Sequence, residues 1–484
     1  MRKWLSKVVA GILACSSMLS IAACGGGNQG GGNFSEFLES VGGNGGGATE
    51  KVIDPTKTQL LVQNYTAGFG DEWLYDLENR FEEAYKDVSY EDGKKGVQVW
   101  HNGDMKVFDA KDVISGSPDI YFMEGASYYA LTKTEGALEE LTDIVVNPNA
   151  DDNGKTILSK LTQQQKAFYG KTTTDGDAKY YAIPHYEGGW GLIYNKELFD
   201  AKGYYFADVA VGEQCRLIES ATEAKGKGPD GVAGTSDDGL PRTYEEFFYL
   251  CGEINALGID PICWPGQYKQ QHVVMLLDNV VANNLGADQA NLRYIFEGEA
   301  ENLIVFDENG NPTKDADGNF ITESMTINES NAWNLARAQG VYDAFEFIQT
   351  ILNNKDYYSE DAGENDGVSH VLNQQYFLEN GDLGLRESAM LADGTWWQME
   401  ADAVFEDMEM RDEKYSKENR KFGWLPLPQA NEAEAAKMAS GEKKMTFSDY
   451  LNAVACVKAN LPEGVKKAAL EFLKFAYTDK ALTD

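Results

Sequence analysis

Leu60-Leu61-Val62-Gln63-Asn64-Tyr65-Thr66-Ala67-Gly68-Phe69-Gly70-Asp71-Glu72-Trp73-Leu74 is the stretch that decides the fold class. Its first five residues are a short, largely apolar run, the pattern of a strand buried on both faces. Gly68 and Gly70 then break the chain. From Asp71 to Tyr85 the apolar residues Trp73, Leu74, Leu77, Phe81 and Tyr85 recur at helical spacing. Val97 to His101 and Asp119 to Met123 read as further strands. Strands alternating with helices define an α/β chain with a mostly parallel sheet covered on both faces. In such sheets ligands bind beyond the carboxyl ends of the strands. That rule places Tyr65, Phe69 and Glu124 at the mouth of a site.

Further along, Tyr181 to Phe199 reads as strand, turn, strand and the start of a helix. Thr243 to Leu257 is helical, with Thr243 and Glu246 in capping-box register. Trp333 to Leu352 reads as a long helix and Ala389 to Ala392 as a strand. Gly394 then breaks the chain, and Thr395 is placed to cap a helix that carries Trp396 and Trp397. Pro462 to Tyr477 is the last helix. Residues 208–242 and 299–325 are rich in Gly, Asp and Asn and read as inserted loops or hairpins. No internal repeat is present. About 430 residues from residue 58 onward are too many for one core, so two domains are expected.

The amino terminus sets the compartment. Arg2, Lys3 and Lys7 precede an uncharged run, Val8 to Ala23. That run is shorter than the ~20 residues a membrane-spanning helix needs, and it reads as an export signal. Ile21-Ala22-Ala23-Cys24 resembles the bacterial lipobox, in which cleavage precedes a cysteine that carries a diacylglyceryl group. Cys24 is therefore the expected lipidation site and the bilayer an expected partner. The glycine-rich segment after it, residues 24–57, buries nothing and reads as a tether reaching roughly 30 Å.

The chain has 42 basic and 78 acidic side chains, a net charge of −36. Loss of residues 1–23 removes three positive charges and no negative ones, leaving −39. Such a balance argues against nucleic-acid partners, which need a basic face, and favours solubility outside the cell. Cys215, Cys251, Cys263 and Cys456 form no CxxC pair, and the four histidines are scattered. Zinc-ligand spacing is absent. Cys251 and Cys263 either pair or pack as small apolar residues, and packing is the expectation. Gly154-Lys155-Thr156 and Gly170-Lys171-Thr172 end like phosphate loops, but Asn149 and Gln165 stand in place of the first glycine. There is no HExxH and no GxSxG. No catalytic residue is assigned, and no cofactor is required.

Aromatic residues beside glycines recur at element ends: Tyr186-Glu187-Gly188-Gly189-Trp190, Trp264-Pro265-Gly266-Gln267-Tyr268 and Gly394-Thr395-Trp396-Trp397. A sugar ring has an apolar C–H face and a rim of hydroxyls. Indoles match the face by stacking; carboxylates and amides match the rim by hydrogen bonds. Core packing is the competing reading for each tryptophan taken alone. Adjacent helical residues point about 100° apart, so one of Trp396 and Trp397 packs inward. Within the insertion, Asp230, Asp237 and Asp238 lie on a glycine-rich loop. They read either as ordinary turn formers or as oxygen ligands for a structural calcium ion.

The chain resembles the extracellular solute-binding proteins of bacterial ABC importers, in the branch that binds maltodextrins and multiple sugars. The matching stretches are Gly68 to Leu74, Ile183-Pro184 with Gly191 to Phe199, Thr243 to Phe247, Ala389 to Trp397, and Phe422 to Pro428. They occur in the family's order. The resemblance implies a class II periplasmic-binding-protein-like fold: two α/β lobes joined by a hinge of crossing strands, with the ligand between them. Carried over by position, 58–187 is the first part of lobe 1. Residues 188–428 are then lobe 2 with its two insertions, and 429–484 return to lobe 1. The family's chain continues beyond the last helix, so a truncated lobe 1 is expected here.

By the same resemblance, Trp190, Trp264 and Trp396 face the ligand, with Glu124 and Glu187 accepting from hydroxyls and Trp397 a less direct neighbour. The expected partners are a sugar or oligosaccharide and the permease subunits of the importer, and the expected state is a monomer. Peptide binding in the same transporter class, a secreted lipoprotein glycosidase and a sensor or adhesion module are the rival readings.

Overall fold

The computed structural model describes residues 51–65, 70–103, 109–123, 128–172, 177–209, 213–364, 367–379, 387–450 and 453–483. In chain order the principal elements begin with β1 (Thr58–Asn64), α1 (Glu72–Ala84), β2 (Val97–Asn102), β3 (Ile120–Met123), α2 (Gln163–Tyr169), β4 (Ile183–Pro184) and β5 (Gly188–Asn195). There follow α3 (Tyr244–Ala256), β6 (Asp260–Cys263), α4 (Lys269–Leu285), β7 (Gly298–Ile304), β8 (Thr322–Ile327), α5 (Gln339–Asn353) and α6 (His370–Glu379). The last are β9 (Ser388–Gly394), α7 (Trp397–Glu400), β10 (Phe422–Leu425), α8 (Glu432–Ala439), β11 (Val454–Val457) and α9 (Glu463–Ala476). They divide into two compact units: unit 1 runs to Gly188 and resumes at Tyr450, and unit 2 is Gly189–Asp449.

Unit 1 is built on a sheet in the order β2-β1-β3-β11-β4. β1 runs parallel to β2 and β3, with Leu61 opposite Trp100 and Val62 opposite Ile120. β11 runs antiparallel to β3 and β4, with Ala455 opposite both Phe122 and Ile183. Leu60, Leu61 and Val62 are all buried, so β1 has apolar cover on both faces, as its unbroken apolar run requires. α1 buries Leu74, Leu77 and Phe81, the stripe its spacing predicts. α9 adds Phe472 and Leu473 to the same core, with the Phe472 ring edge-on to Phe81 at 5.0 Å. Burial of each such ring contributes about 2–3 kcal/mol.

Unit 2 has the strand path β10-β5-β9-β6. β5 is antiparallel to β9 and β10, and β9 is parallel to β6; Leu391 sits opposite both Ile193 and Cys263. One core cluster gathers Ile193, Leu391, Phe377, Trp397, Phe405 and the partly buried Phe422. Local signals place the helices. The Asn195 side chain accepts from Leu198 N–H at 3.1 Å and opens the helix Lys196–Lys202. Thr243 caps α3 by accepting from Glu246 N–H at 3.2 Å. The Glu246 carboxylate turns to Arg242 instead, accepting its backbone N–H at 2.6 Å, so the expected box is half made. The complete capping box is Thr162 with Gln165, at α2. β7 and β8 form an antiparallel hairpin. In the segment between its two strands, Asp307 and Asp315 close tight turns by accepting backbone N–H groups at 2.8 to 2.9 Å.

Three expectations need correction. Residues 429–449, expected to return to the first unit, belong to unit 2. Gln429 N–H donates to Arg242 O at 2.8 Å, and the Arg242 guanidinium donates to Glu432 at 3.0 Å. Asn279 accepts from Ser448 N–H at 3.0 Å, holding the segment to α4. The long helix expected from Trp333 is two pieces, a 3-10 turn at Ala332–Arg337 and α5, because Ala338 is extended between them. Thr395 does not cap α7; the cap position is Trp396, with no side-chain bond, and Thr395 N–H donates to Gly189 O at 2.9 Å. The four described cysteines outside the signal and tether are free. Cys251 and Cys263 pack as small apolar residues, and burial pushes the Cys263 thiol up to about 12.

Candidate functional site

In unit 1, β1, β3 and β4 point the same way, so their carboxyl ends share one edge of the sheet. Tyr65 leaves that edge half-buried, its N–H donating to Phe122 O at 2.9 Å. Phe69 and Glu124 lie outside the described residues. At the end of β4, His185 and Tyr186 stand with ring centroids 5.1 Å apart, and His185 is 5.2 Å from Trp73 and 4.7 Å from Phe122. Desolvation among these rings pushes His185 down to about 3, so the imidazole is neutral at physiological pH. Glu187 is exposed and accepts from the side-chain amide of Gln165 on α2. At the end of β2, His101 is held between carboxylates, with Nδ1 2.7 Å from Glu78 and Nε2 3.6 Å from Asp71. Burial raises the Glu78 carboxyl above its ordinary range.

Unit 2 brings together three of the residues singled out in the sequence. β6 and β9 end at one edge of the sheet, and the antiparallel β5 begins there. Trp264 follows β6, Trp396 follows β9, and Trp190 lies near the start of β5. Gly394 sits directly opposite Trp190. A Cβ on Gly394 would meet the Trp396 ring at 2.3 to 2.4 Å, so that ring occupies the side-chain place of Gly394. Residues opposite one another across a ladder share a face, so Trp396 and Trp190 lie on the same side of the sheet. α4 packs there too. His272 Nδ1 is 3.0 Å from Ala392 O, and its ring meets Trp190 edge-on at 5.5 Å. Burial pushes His272 down to about 4, so it is neutral and Nδ1–H is the donor to Ala392 O.

Exposure separates these tryptophans. Trp190 is 1 % exposed and Trp264 3 %, whereas Trp396 is half-buried. Trp264 packs on Tyr358 at 5.0 Å, and its Nε1–H is buried without a partner. A void of about 10 Å³ lies among Trp264, His272, Leu276 and Ala392, room for no more than one water. Trp397 points the other way, into the core, with Phe422 at 5.0 Å and Phe377 at 5.8 Å. A larger cavity of about 420 Å³ in unit 1, lined by Arg80, Glu83, Phe475 and Lys480, holds none of the expected residues.

Two residues of aromatic chemistry went unnoticed in the sequence as site candidates. Trp73 takes part in the unit 1 cluster from the first turn of α1. Trp424 is 40 % exposed on β10, its ring laid 2.9 Å from where Gly191 would carry a Cβ. An aromatic residue paired with a glycine on a neighbouring strand was the available signal.

In the insertion loop the acids bond to the loop's own backbone. Asp230 accepts from Val232 N–H at 2.7 Å, Asp237 from Asp230 N–H at 2.9 Å and Asp238 from Gly234 N–H at 2.7 Å. Among the described residues no group of three acidic, histidine or cysteine side chains is placed to hold a metal ion. Asp230, Asp237 and Asp238 are turn formers. Among the described residues no helix is long and apolar enough to cross a membrane.

No family model and no curated protein matches the chain. Solved structures do. A chitin oligosaccharide binding protein is 16 % identical, with 88 % of this chain and 78 % of that one covered at a TM-score of 0.50. The apo-form of RafE from Streptococcus pneumoniae is 13 % identical over 89 % of this chain and 80 % of its own, at 0.49. A probable secreted solute-binding lipoprotein from Streptomyces coelicolor is 14 % identical over 89 % and 79 %, at 0.46. The first of these likenesses shows the fold: a two-unit α/β solute-binding-protein fold, as the sequence resemblance implied.

Proposed function

We propose that the chain is the extracytoplasmic carbohydrate-binding subunit of an ATP-driven importer, lipid-anchored through Cys24, that captures a sugar without chemical change and hands it to permease subunits. The observation that carries this reading is the convergence of Trp190, Trp264 and Trp396 at one edge of the unit 2 sheet. Trp396 offers a partly exposed indole face for stacking on a sugar ring, while Trp190 and Trp264 back it from the core. In unit 1, Tyr65, Tyr186 and Glu187 add half-buried phenols and an exposed carboxylate, groups that hydrogen-bond hydroxyls. A net charge of −36 favours a neutral ligand over an anionic one.

Calorimetric titration of the purified chain tests the reading, with galactose, raffinose and chitin oligosaccharides as probes and short peptides as controls. Micromolar or tighter binding to one sugar class, with the sugar recovered intact, supports it. Heat from peptides alone, or loss of a glycoside during the titration, overturns it in favour of peptide transport or hydrolysis. For the anchor, a Cys24→Ala variant is expected in the soluble fraction of cells that retain the wild-type chain on membranes.

A further inference from the structure

The turn that carries Trp396 is bracketed by two acids, Asp393 before it and Glu400 after it. Both accept from a single amide. Gln374 Nε2 on α6 lies 3.0 Å from Asp393 Oδ2 and 2.7 Å from Glu400 Oε2. Asp393 Oδ1 also accepts from Gly394 N–H at 2.7 Å, where the Trp396 ring folds back. Gln374 is fully buried and Asp393 is 2 % exposed, yet Gln374 Oε1 has no partner. Two carboxylates share one NH₂ group, and the amide oxygen beside them is a buried acceptor without a partner. A proton on Asp393 removes a buried negative charge beside Glu400.

We propose that Gln374 is a positioning residue for the aromatic edge of unit 2, its amide pinning both ends of the Trp396 turn, with a proton on Asp393 relieving the repulsion between Asp393 and Glu400. Its bearing on ligand capture rests on the carbohydrate reading above. The groups that face the cluster are few. His370 on α6 favours the charged form of Asp393, Cys263 on β6 is a buried neutral thiol near it, and Glu400 on α7 is the competing acid. Burial outweighs the bonds from Gln374 and Gly394 and pushes Asp393 up to about 6. The proton is held below that pH and released above it. Release restores repulsion between the two carboxylates and loosens the turn that Trp396 sits on.

The test is a pH titration of the purified full chain without sugar, from about pH 5 to about 7.5, followed by tryptophan fluorescence. Asp119 is also raised to about 6, so every form is compared in an Asp119→Asn background, where the otherwise wild-type chain is expected to show one step centred near 6. Asp393→Asn supplies both acceptor and donor without charge, so it is expected to abolish the step while keeping the low-pH spectrum. Gln374→Met keeps the volume and removes the amide. It is expected to lose the step and to weaken binding of raffinose or chitin oligosaccharide by about tenfold. A flat wild-type titration, or a step that survives Asp393→Asn, overturns the clamp. If Gln374→Met fails to fold, the Asp393→Asn titration still decides. If no sugar binds any form, the carbohydrate reading falls while the apo titration judges the clamp by itself.

Discussion

The carboxyl-end edges of the two sheets follow one topological rule and differ in chemistry. At the edge of unit 1, phenol and imidazole rings stand half-buried beside an exposed acid, Glu187, tied to the Gln165 amide. At the edge of unit 2 the rings are indoles, and the nearby acid, Asp393, is enclosed. Each edge holds a neutral histidine, His185 in one and His272 in the other, because neither desolvated imidazole retains a proton at physiological pH. The difference lies in where charge is permitted. An exposed carboxylate can exchange water for a ligand hydroxyl at little cost, whereas a buried one shapes the backbone around it.

The largest effect expected from breaking this contrast lies in the core of unit 2. Trp397→Ala is expected to cost about 3–5 kcal/mol of stability, read by denaturant unfolding, because it empties a cluster that includes Phe377, Phe405 and Phe422. A loss under ~1 kcal/mol would mean that Trp397 and Trp396 are interchangeable neighbours.

The buried acids come next, and they sharpen the comparison. Asp119, at the start of β3 in unit 1, accepts from Leu61 N–H at 2.9 Å and is pushed by burial up to about 6. A folded-state pKa above the ordinary 3.8 means the folded chain holds a proton that the unfolded chain releases. Stability contributed by that proton is fully present below about pH 4 and is lost as pH rises through about 6, roughly 3 kcal/mol for two units. Asp119→Asn is expected to flatten the stability profile over that window without altering ligand affinity. A change in affinity would bring the amino-terminal end of β3 into the site.

Trp396→Ala is expected to weaken sugar binding by about 1–3 kcal/mol, with little change in stability since the ring is only half-buried. Isothermal titration against the best-bound probe measures it. An affinity change below a few tenths of a kcal/mol would leave Trp396 a bystander. The smallest effect belongs to unit 1. Glu187→Gln is expected to shift affinity by less than ~1 kcal/mol, because an exposed acceptor already satisfied by Gln165 and solvent loses little. A larger loss would make the unit 1 edge the dominant recognition surface.

Local signals in the chain translated directly where only neighbours along the sequence were involved. The β1 run, the α1 stripe and the Thr243 cap are each settled within about one helical turn. The boundary at 449 was not legible, because Gln429, Glu432 and Ser448 join unit 2 through Arg242 and Asn279, far away in sequence. Thr395 looked like a cap, but the helix starts one residue later, with Trp396 at the cap position and Thr395 held to Gly189 across the ladder. The acids of the 228–239 loop were open to two readings, because composition cannot tell whether a carboxylate faces an ion or its own backbone.

The order of residues alone determined the α/β class, the division into two units and the tryptophan-glycine pairs from which a site was inferred. These depend on periodicity, charge and composition, which act over short spans of chain. Tertiary structure alone decided which tryptophans share a face and which of them keeps an exposed ring. It also decided that Asp393, Glu400 and Gln374 meet. Register between strands β5, β9 and β6 and the burial of charge are set by contacts between residues more than a hundred positions apart, and no local pattern encodes them.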